Sequence, residues 1–443
     1  MNNIKKQVLV VALLMPIHAY AAMYDPSEDD NATLFDVQQF GQRAENQSQK
    51  IIGLIKQAEN SFNKGYLQES EQTMLKALTV AKGNLKAEAK LLSILGKVYA
   101  KQQKAEKLLP LAQDIIRRYP DETIALSTLA GAQMVNKQYQ QSEKTLRKII
   151  SKERKDTNHR LLLVDVLIKQ ENRQKEVESL LNDILKIQVN NPKALLLKTK
   201  LQIEQKQFTG ALKTIKVMEG FYPKKAFVPQ IKADLQLAEK NYEGALALYQ
   251  EAYQIRPNNN VLFIMVDLLK VLKKESKAFD LLNNELKKDN NNLAVHFKLG
   301  TIYQQQKNYF QAEKHFKAIL SKQENNIIVL NNLAWNYLKQ GKPEALALAK
   351  KAYDKAPKFP DIADTYAVIL LEQGDKKLAL DILKVAVKAA PKSMDIQYHL
   401  ALAYSKNAQK GQAIKILQNL EKQSAYFSEK KAASELLSAL ILG

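Results

Sequence analysis

A small or apolar residue returns along this chain at a nearly constant interval: Ser70, Leu108, Ser142, Val177, Ala211, Ala245, Ala278, Ala312, Ala345, Ala379 and Ala413. The successive spacings are 38, 34, 35, 34, 34, 33, 34, 33, 34 and 34. Just upstream of each stands a second residue, small in most cases: Ala58, Gly96, Ala130, Asp165, Thr199, Ala233, Val266, Gly300, Ala334, Ala367 and Ala401. Paired small residues at this interval mark places where two helix backbones approach closely. A unit of this size cannot bury its apolar face alone, so neighbouring units must stack into a continuous array. The period therefore predicts an all-α solenoid rather than several globular domains.

Punctuation agrees with the period. Pro120, Pro223, Pro257, Pro357 and Pro391 fall where the second helix of a unit should stop, and proline cannot continue a helix. Pro343 falls in a turn, where a first-turn proline is tolerated. Pro110 lies inside the second helix of its unit and predicts a kink or a late start there, next to the long 38-residue spacing. Asp165, Thr199 and Val266 depart from the small-residue rule, although the apolar periodicity around them survives. From Ser428 onward, Ala433, Leu436, Leu437 and Leu440 recur at helical spacing and read as a terminal helix that shields the last unit. The expected organisation is a signal peptide over 1–21, an acidic arm over 22–46, the array over 47–427 and a capping helix over 428–443.

The first residues point to a compartment. Lys5 and Lys6 precede a short apolar run from Val8 to Met15, and Ala19-Tyr20-Ala21 follows as an A-x-A site. This is the pattern of a cleavable secretory signal. The run is shorter than the about 20 residues that a spanning helix needs, and no later stretch is long and apolar enough to cross a membrane. The expected location is the periplasm. The arm that follows carries Asp25, Glu28, Asp29, Asp30 and Asp36 against Arg43. It reads as a spacer before the fold, with docking back onto a basic groove as the alternative.

Composition removes several chemistries. The chain has no cysteine, which excludes disulfides, thiolate metal sites, cysteine nucleophiles and a lipidated N-terminal cysteine. The histidines beyond His18 are His159, His296, His315 and His399, with no H-E-x-x-H spacing. His296 and His315 fall on the two helices of one unit and read as a packing pair. Glycine-rich phosphate loops are missing, so neither a cofactor nor catalysis is expected. The formal net charge of +21 favours anionic partners. Most of the lysines read as a solvated outer surface, and no nucleic-acid-reading motif accompanies them.

The unit from Leu293 to Glu324 shows the repeat most clearly, with Leu299-Gly300 before Tyr303 and Ala312 before Phe316. This L-G-x-x-Y … A-x-x-x-F order resembles the 34-residue tetratricopeptide repeat (TPR), a helix–turn–helix, with Glu324 at the position of its closing proline. The resemblance implies a right-handed superhelical solenoid of about eleven helix–turn–helix repeats plus the C-terminal capping helix. It also implies that first-helix positions 2, 5, 9 and 12 face a concave groove. Carried onto this sequence, those positions give Phe227, Phe263, Phe297, Asn331, Trp335, Asp364 and Tyr398 as candidate ligand-binding residues. Lys90, Lys97 and Lys101 form a candidate anion-binding face on one first helix. The lysine–asparagine clamp that grips acidic chaperone tails is not matched, because Asn331 stands at position 5 and Trp335 at position 9.

Over Ile327 to Leu440, the runs Asn331-Asn332-Leu333-Ala334-Trp335 and Asp364-Thr365-Tyr366-Ala367 precede Leu371-Glu372-Gln373-Gly374-Asp375. These are similar to the C-terminal repeats of secreted proteins of bacterial exopolysaccharide and exosortase (PEP-CTERM) systems. The expected function is a non-enzymatic periplasmic scaffold that binds a partner protein of the cell envelope in its groove. Direct binding of an anionic polysaccharide, or service as a regulatory subunit of an envelope enzyme, are the alternatives.

Overall fold

The computed structural model describes residues 42–423 and 427–442. The expected signal peptide and most of the expected acidic arm fall at residues 1–41, outside the described residues. Two compact units divide the chain after Ile255. The N-terminal unit holds the pairs α1 (Gln42–Asn63) and α2 (Leu67–Ala81), α3 (Leu85–Gln102) and α4 (Leu108–Arg118), and α5 (Thr123–Val135) and α6 (Tyr139–Lys152). It continues with α7 (Thr157–Ile168) and α8 (Gln174–Ile187), α9 (Pro192–Glu204) and α10 (Phe208–Phe221), and α11 (Phe227–Ala238) and α12 (Tyr242–Ile255).

In the C-terminal unit, α13 (Asn259–Val271) pairs with α14 (Glu275–Lys288), α15 (Leu293–Gln305) with α16 (Tyr309–Leu320), and α17 (Ile327–Lys339) with α18 (Ala345–Lys355). Then α19 (Pro360–Gln373) pairs with α20 (Lys376–Ala389) and α21 (Met394–Lys406) with α22 (Lys410–Glu421), before the last helix, α23 (Lys430–Leu442). Among the described residues there are thus eleven helix pairs and one closing helix, as the period predicts. Helix α1 begins at Gln42, inside the stretch assigned to the arm.

The residues that set the period are buried in every pair, from Ser70 at 0% exposure to Leu108 at 4%. Four residues further on, a second buried series runs from Met74 through Leu146, Ile215, Tyr249 and Phe316 to Leu417, none above 1% exposed. Gly300 shows why the opposing position stays small. A Cβ added there would lie 2.6 Å from the Phe316 ring, so the ring can reach the α15 backbone only because the side chain is absent. One pair corrects the register read from the sequence. Helix α7 begins at Thr157, so Val164, fully buried at 0%, takes the position assigned to Asp165. A longer turn, 169–173, restores the spacing before Val177. Asp165 is turned outward instead and pairs with Lys193 at 2.7 Å.

Helix ends follow local chemistry. Pro120, Pro223, Pro257, Pro357 and Pro391 each stand two residues beyond the last helical residue. Pro110 gives the late start: a 3₁₀ turn over Ala105–Lys107 precedes α4, which begins at Leu108. Asparagines 84, 191, 258, 292 and 326 cap first helices, each side chain accepting from the backbone N–H three residues on.

The turn inside each pair passes through the left-handed region once, at residues 65, 103, 137, 172, 206, 240, 273, 307, 341, 374 and 408. Glycine fills only Gly65, Gly341 and Gly374, while five of the others are lysines. At Lys307 the following N–H, of Asn308, donates to the Tyr303 carbonyl at 2.8 Å, closing the helix in the Schellman manner. A side chain costs about 1–2 kcal/mol in this conformation.

Ala408→Gly and Lys307→Gly should therefore each stabilise the protein by roughly 1 kcal/mol, seen as a higher midpoint in urea titration. Gly300→Leu should lower stability by at least about 2 kcal/mol, with hydrogen exchange rising in α15 and α16. Unchanged exchange there would contradict the close approach of the two helices.

Candidate functional site

The groove candidates of the C-terminal unit sit on successive first helices: Phe263 on α13, Phe297 on α15, Asn331 and Trp335 on α17, Asp364 on α19 and Tyr398 on α21. These helices are tied to one another by polar contacts. Lys298 on α15 donates to both oxygens of Asp267 on α13 at 2.8 and 3.0 Å, and its ammonium lies 5.5 Å from the centre of the Phe263 ring. Gln304 on α15 donates to the Asn332 carbonyl on α17 at 3.1 Å. His399 on α21 meets the two carboxylate oxygens of Asp364 on α19 at 2.8 and 2.9 Å.

These ties sort the candidates. Asp364 is engaged by His399, and Phe297 packs against Phe316 with ring centres 6.3 Å apart. Tyr398 is only 8% exposed and belongs to the core that Leu417, Leu420, Phe427 and Leu437 form under the closing helix. Burial pushes its hydroxyl pKa up. In the N-terminal unit, Phe227 packs on Tyr222 at 5.4 Å between ring centres. Lys200, at another groove position, is 9% exposed, and burial lowers its pKa while raising that of Glu204.

Two of the candidates, Asn331 and Trp335, share α17 with an exposed aliphatic side chain. Ile328 is 58% exposed. Trp335 stands two turns further on, half-buried, with the Lys339 ammonium 4.4 Å above its ring. Asn331 lies between them in sequence, at the i, i+3, i+7 spacing that shares one helix face. Its Oδ1 is shielded from solvent and has no hydrogen-bond partner among the described residues. Buried amides are nearly always paired, and Gln102 and Asn336 each keep one amide oxygen in the same state. Sequence reading found Asn331 and Trp335 but missed Ile328. The same position-2 rule points to it.

Behind α17 the unit is locked by a buried carboxylate. Glu313 on α16 accepts from the Tyr337 hydroxyl at 3.0 Å, from Lys342 at 2.5 Å and from Gln340 at 3.4 Å, and pairs with Lys317 at 2.7 Å. Burial opposes its ionisation, yet the bonds from Lys317, Lys342 and Tyr337 hold its pKa at about 2. On the other side of the pair, His296 and His315 meet through their Nδ1 atoms at 2.9 Å. The Tyr303 ring stacks on His315 at 5.6 Å, and the Asn290 carbonyl lies 3.0 Å from His296 Nε2. Burial, with His296 and Lys314 nearby, lowers the His315 pKa to about 4. Among the described residues no three histidine or carboxylate groups are placed to hold a metal ion, and no helix is long and apolar enough to cross a membrane.

The repeat these helices form has a known counterpart. Residues 337–403 match the tetratricopeptide repeat family. No curated protein matches the chain. Solved structures similar to it include yeast Tom70, at 16% identity and a TM-score of 0.36, covering 89% of this chain and 96% of that one. Cut9–Hcn1 of the APC/C is similar at 14% identity and a TM-score of 0.42, with 89% and 87% covered. A tetratricopeptide repeat protein from Parabacteroides merdae is similar at 15% identity and a TM-score of 0.36, with 64% and 98% covered.

Acid should weaken the C-terminal unit in two steps. His315 binds its proton less readily folded than unfolded, so its contribution is complete above about pH 6.5 and is lost as pH falls toward 4. Glu313 has a depressed carboxylate pKa, so its contribution is lost between about pH 4.5 and 2. Urea titrations from pH 7 to 4 should show stability falling by roughly 1–3 kcal/mol. In His315→Gln that slope should flatten. A slope that His315→Gln leaves intact would exclude the histidine pair as its source.

Proposed function

We propose that this chain is a non-catalytic scaffold that captures a partner protein along the first helices of its C-terminal unit. The observation that carries the reading is the α17 face, where exposed Ile328 and half-buried Trp335 lie on one side of the helix with Asn331 between them. Apolar and aromatic anchors along one helix face suit a polypeptide, which brings apolar side chains to meet them. Tryptophan is among the residues that dominate interface energies. The match of residues 337–403 to the tetratricopeptide repeat supports an interaction role for that stretch.

The setting we infer is the periplasm. It rests on the basic Lys5-Lys6, the apolar Val8–Met15 run and the Ala19-Tyr20-Ala21 site. Within it we propose a partner protein of the cell envelope, and exopolysaccharide assembly or export as the process, from the similarity over Ile327 to Leu440. The rival reading, an anionic polysaccharide as the ligand, draws on the net charge of +21.

A photo-crosslinking residue placed at Trp335 in intact cells should capture a discrete protein partner, and one placed at exposed Val385 should not. Trp335→Ala and Ile328→Ser should each weaken capture by about tenfold or more without loss of helicity by circular dichroism. Capture anchored by aromatic contact should persist from about 0.1 to 0.5 M salt, whereas charge-dominated glycan binding should collapse. Capture unaffected by either substitution would rule out the α17 face.

A further inference from the structure

Five large apolar side chains gather in solvent at one place in the N-terminal unit. Leu212, Val217 and Phe221 lie on α10, Ile187 ends α8, and Val189 follows in the next turn. Their exposure runs from 37% at Val217 to 57% at Val189. Observed contacts hold the two helices together there. The Tyr222 hydroxyl donates to the Asn190 carbonyl, and the Phe221 and Tyr222 rings lie 6.4 Å apart. Leu185 of α8 packs against the core to which Ile215 and Met218 of α10 belong. At about 100° per residue, positions 212, 213, 216, 217, 220 and 221 fall within one half of the α10 circumference, and all six are exposed. A Cβ added at Gly220 would meet nothing within 4 Å, so this side of the helix is open.

The exposed charge on the same face has one sign. Every exposed charged residue of α8 and α10 is a lysine: Lys175, Lys186, Lys213 and Lys216. Lys224 and Lys225, both exposed, follow in the turn after α10. The nearby carboxylates are engaged, Asp183 with Lys186 at 3.1 Å and Glu219 with Lys232 at 2.7 Å. Glu178 stands nine residues before Ile187 and so on the opposite side of α8. Exposed carboxylates return on α12, at Glu243 and Glu251.

We propose that this face of α8 and α10 seats the protein on an anionic lipid surface. Val217, Phe221, Ile187 and Val189 enter the boundary between headgroups and acyl chains, and the lysines meet the lipid phosphates. Two arguments select this occupant. The first is charge: each lysine close to an anionic leaflet adds attraction, whereas a second copy of this chain would set lysine against lysine. The second is composition. Aliphatic tips, aromatic rings and lysines on one helix face make a surface that lies in the plane of a membrane interface. Lysine stems can follow the apolar side chains while their ammonium groups reach the headgroups. Shallow apolar insertion is marginal by itself and needs an electrostatic second signal, which this face supplies. This inference concerns the N-terminal unit and does not depend on the α17 face.

The full chain should sediment with vesicles of phosphatidylcholine containing about 30% phosphatidylglycerol, and severalfold less with phosphatidylcholine alone. Val217→Ser together with Phe221→Ser should cut binding to the anionic vesicles by about fivefold or more. Lys213→Gln, Lys216→Gln and Lys224→Gln combined should cut it about tenfold or more. These side chains are exposed, so helicity by circular dichroism should hold in both variants. Phe359→Ser, at an exposed position of the C-terminal unit, should leave vesicle binding unchanged.

Insertion itself can be read by fluorescence, because Trp335 is the one tryptophan of the chain. In a Trp335→Phe background, Phe221→Trp emission should shift to the blue on anionic vesicles and be quenched by lipids brominated near the headgroup. Phe359→Trp emission in the same background should show neither effect. Vesicle binding that the two serines leave intact would be adsorption by the net charge of +21 and would overturn the proposal. So would quenching no stronger at Phe221→Trp than at Phe359→Trp. Failure to bind the anionic vesicles at all would also overturn it and leave the face to a protein partner.

Discussion

Each helix pair in this chain depends on two backbones coming close enough for a large side chain of one to rest on a nearly bare stretch of the other. Gly300 beneath the Phe316 ring is the tightest case, with 2.6 Å between the ring and where a Cβ would stand. Ala130, Ala233, Ala334 and Ala401 stand at the equivalent positions, none more than 2% exposed. Because interiors are packed to crystal-like density, a single added methyl group at such a point moves a whole helix. Stability in a stacked array is close to a sum over units and their interfaces, so the penalty falls on the pair and its neighbours.

With the backbones fixed, polar groups decide which surfaces remain available. First helices are joined by Asp267–Lys298 and Asp364–His399, and Lys317, Lys342, Tyr337 and Gln340 gather around the buried carboxylate of Glu313. Groups consumed in these contacts are poorly placed to greet a ligand without first giving up a partner. On α17, exposed Ile328 and half-buried Trp335 share one helix face. On α3, Lys90, Lys97 and Lys101 are exposed and enter no ion pair among the described residues.

Much of the architecture was legible before any coordinates. The spacing of Ser70 through Ala413 located all eleven pairs, the prolines located helix ends, and Pro110 announced the late start of α4. The one slip in register, at Asp165, came from a longer turn after α7, which a residue-counting rule cannot see. The left-handed turn residues were also invisible, because lysine, glutamine, asparagine and alanine fill eight of the eleven positions and carry no glycine signal. There the stacked helices over-determine the conformation and impose it on side chains that do not prefer it.

The candidate site was legible only as a set of positions. The sequence alone determined the helical period, the close-packed small residues, the absence of cysteine chemistry and the excess of positive charge, since these are properties of residue type and spacing. Tertiary structure decided which groove positions are spent on packing and which stay available. Tyr398 lies under the closing helix, Asp364 is held by His399, and Ile328 is left in solvent. That division rests on which helix face meets a neighbour and at what distance. A one-dimensional period fixes how often helices meet, while burial and pairing depend on what each meeting brings within a few ångströms.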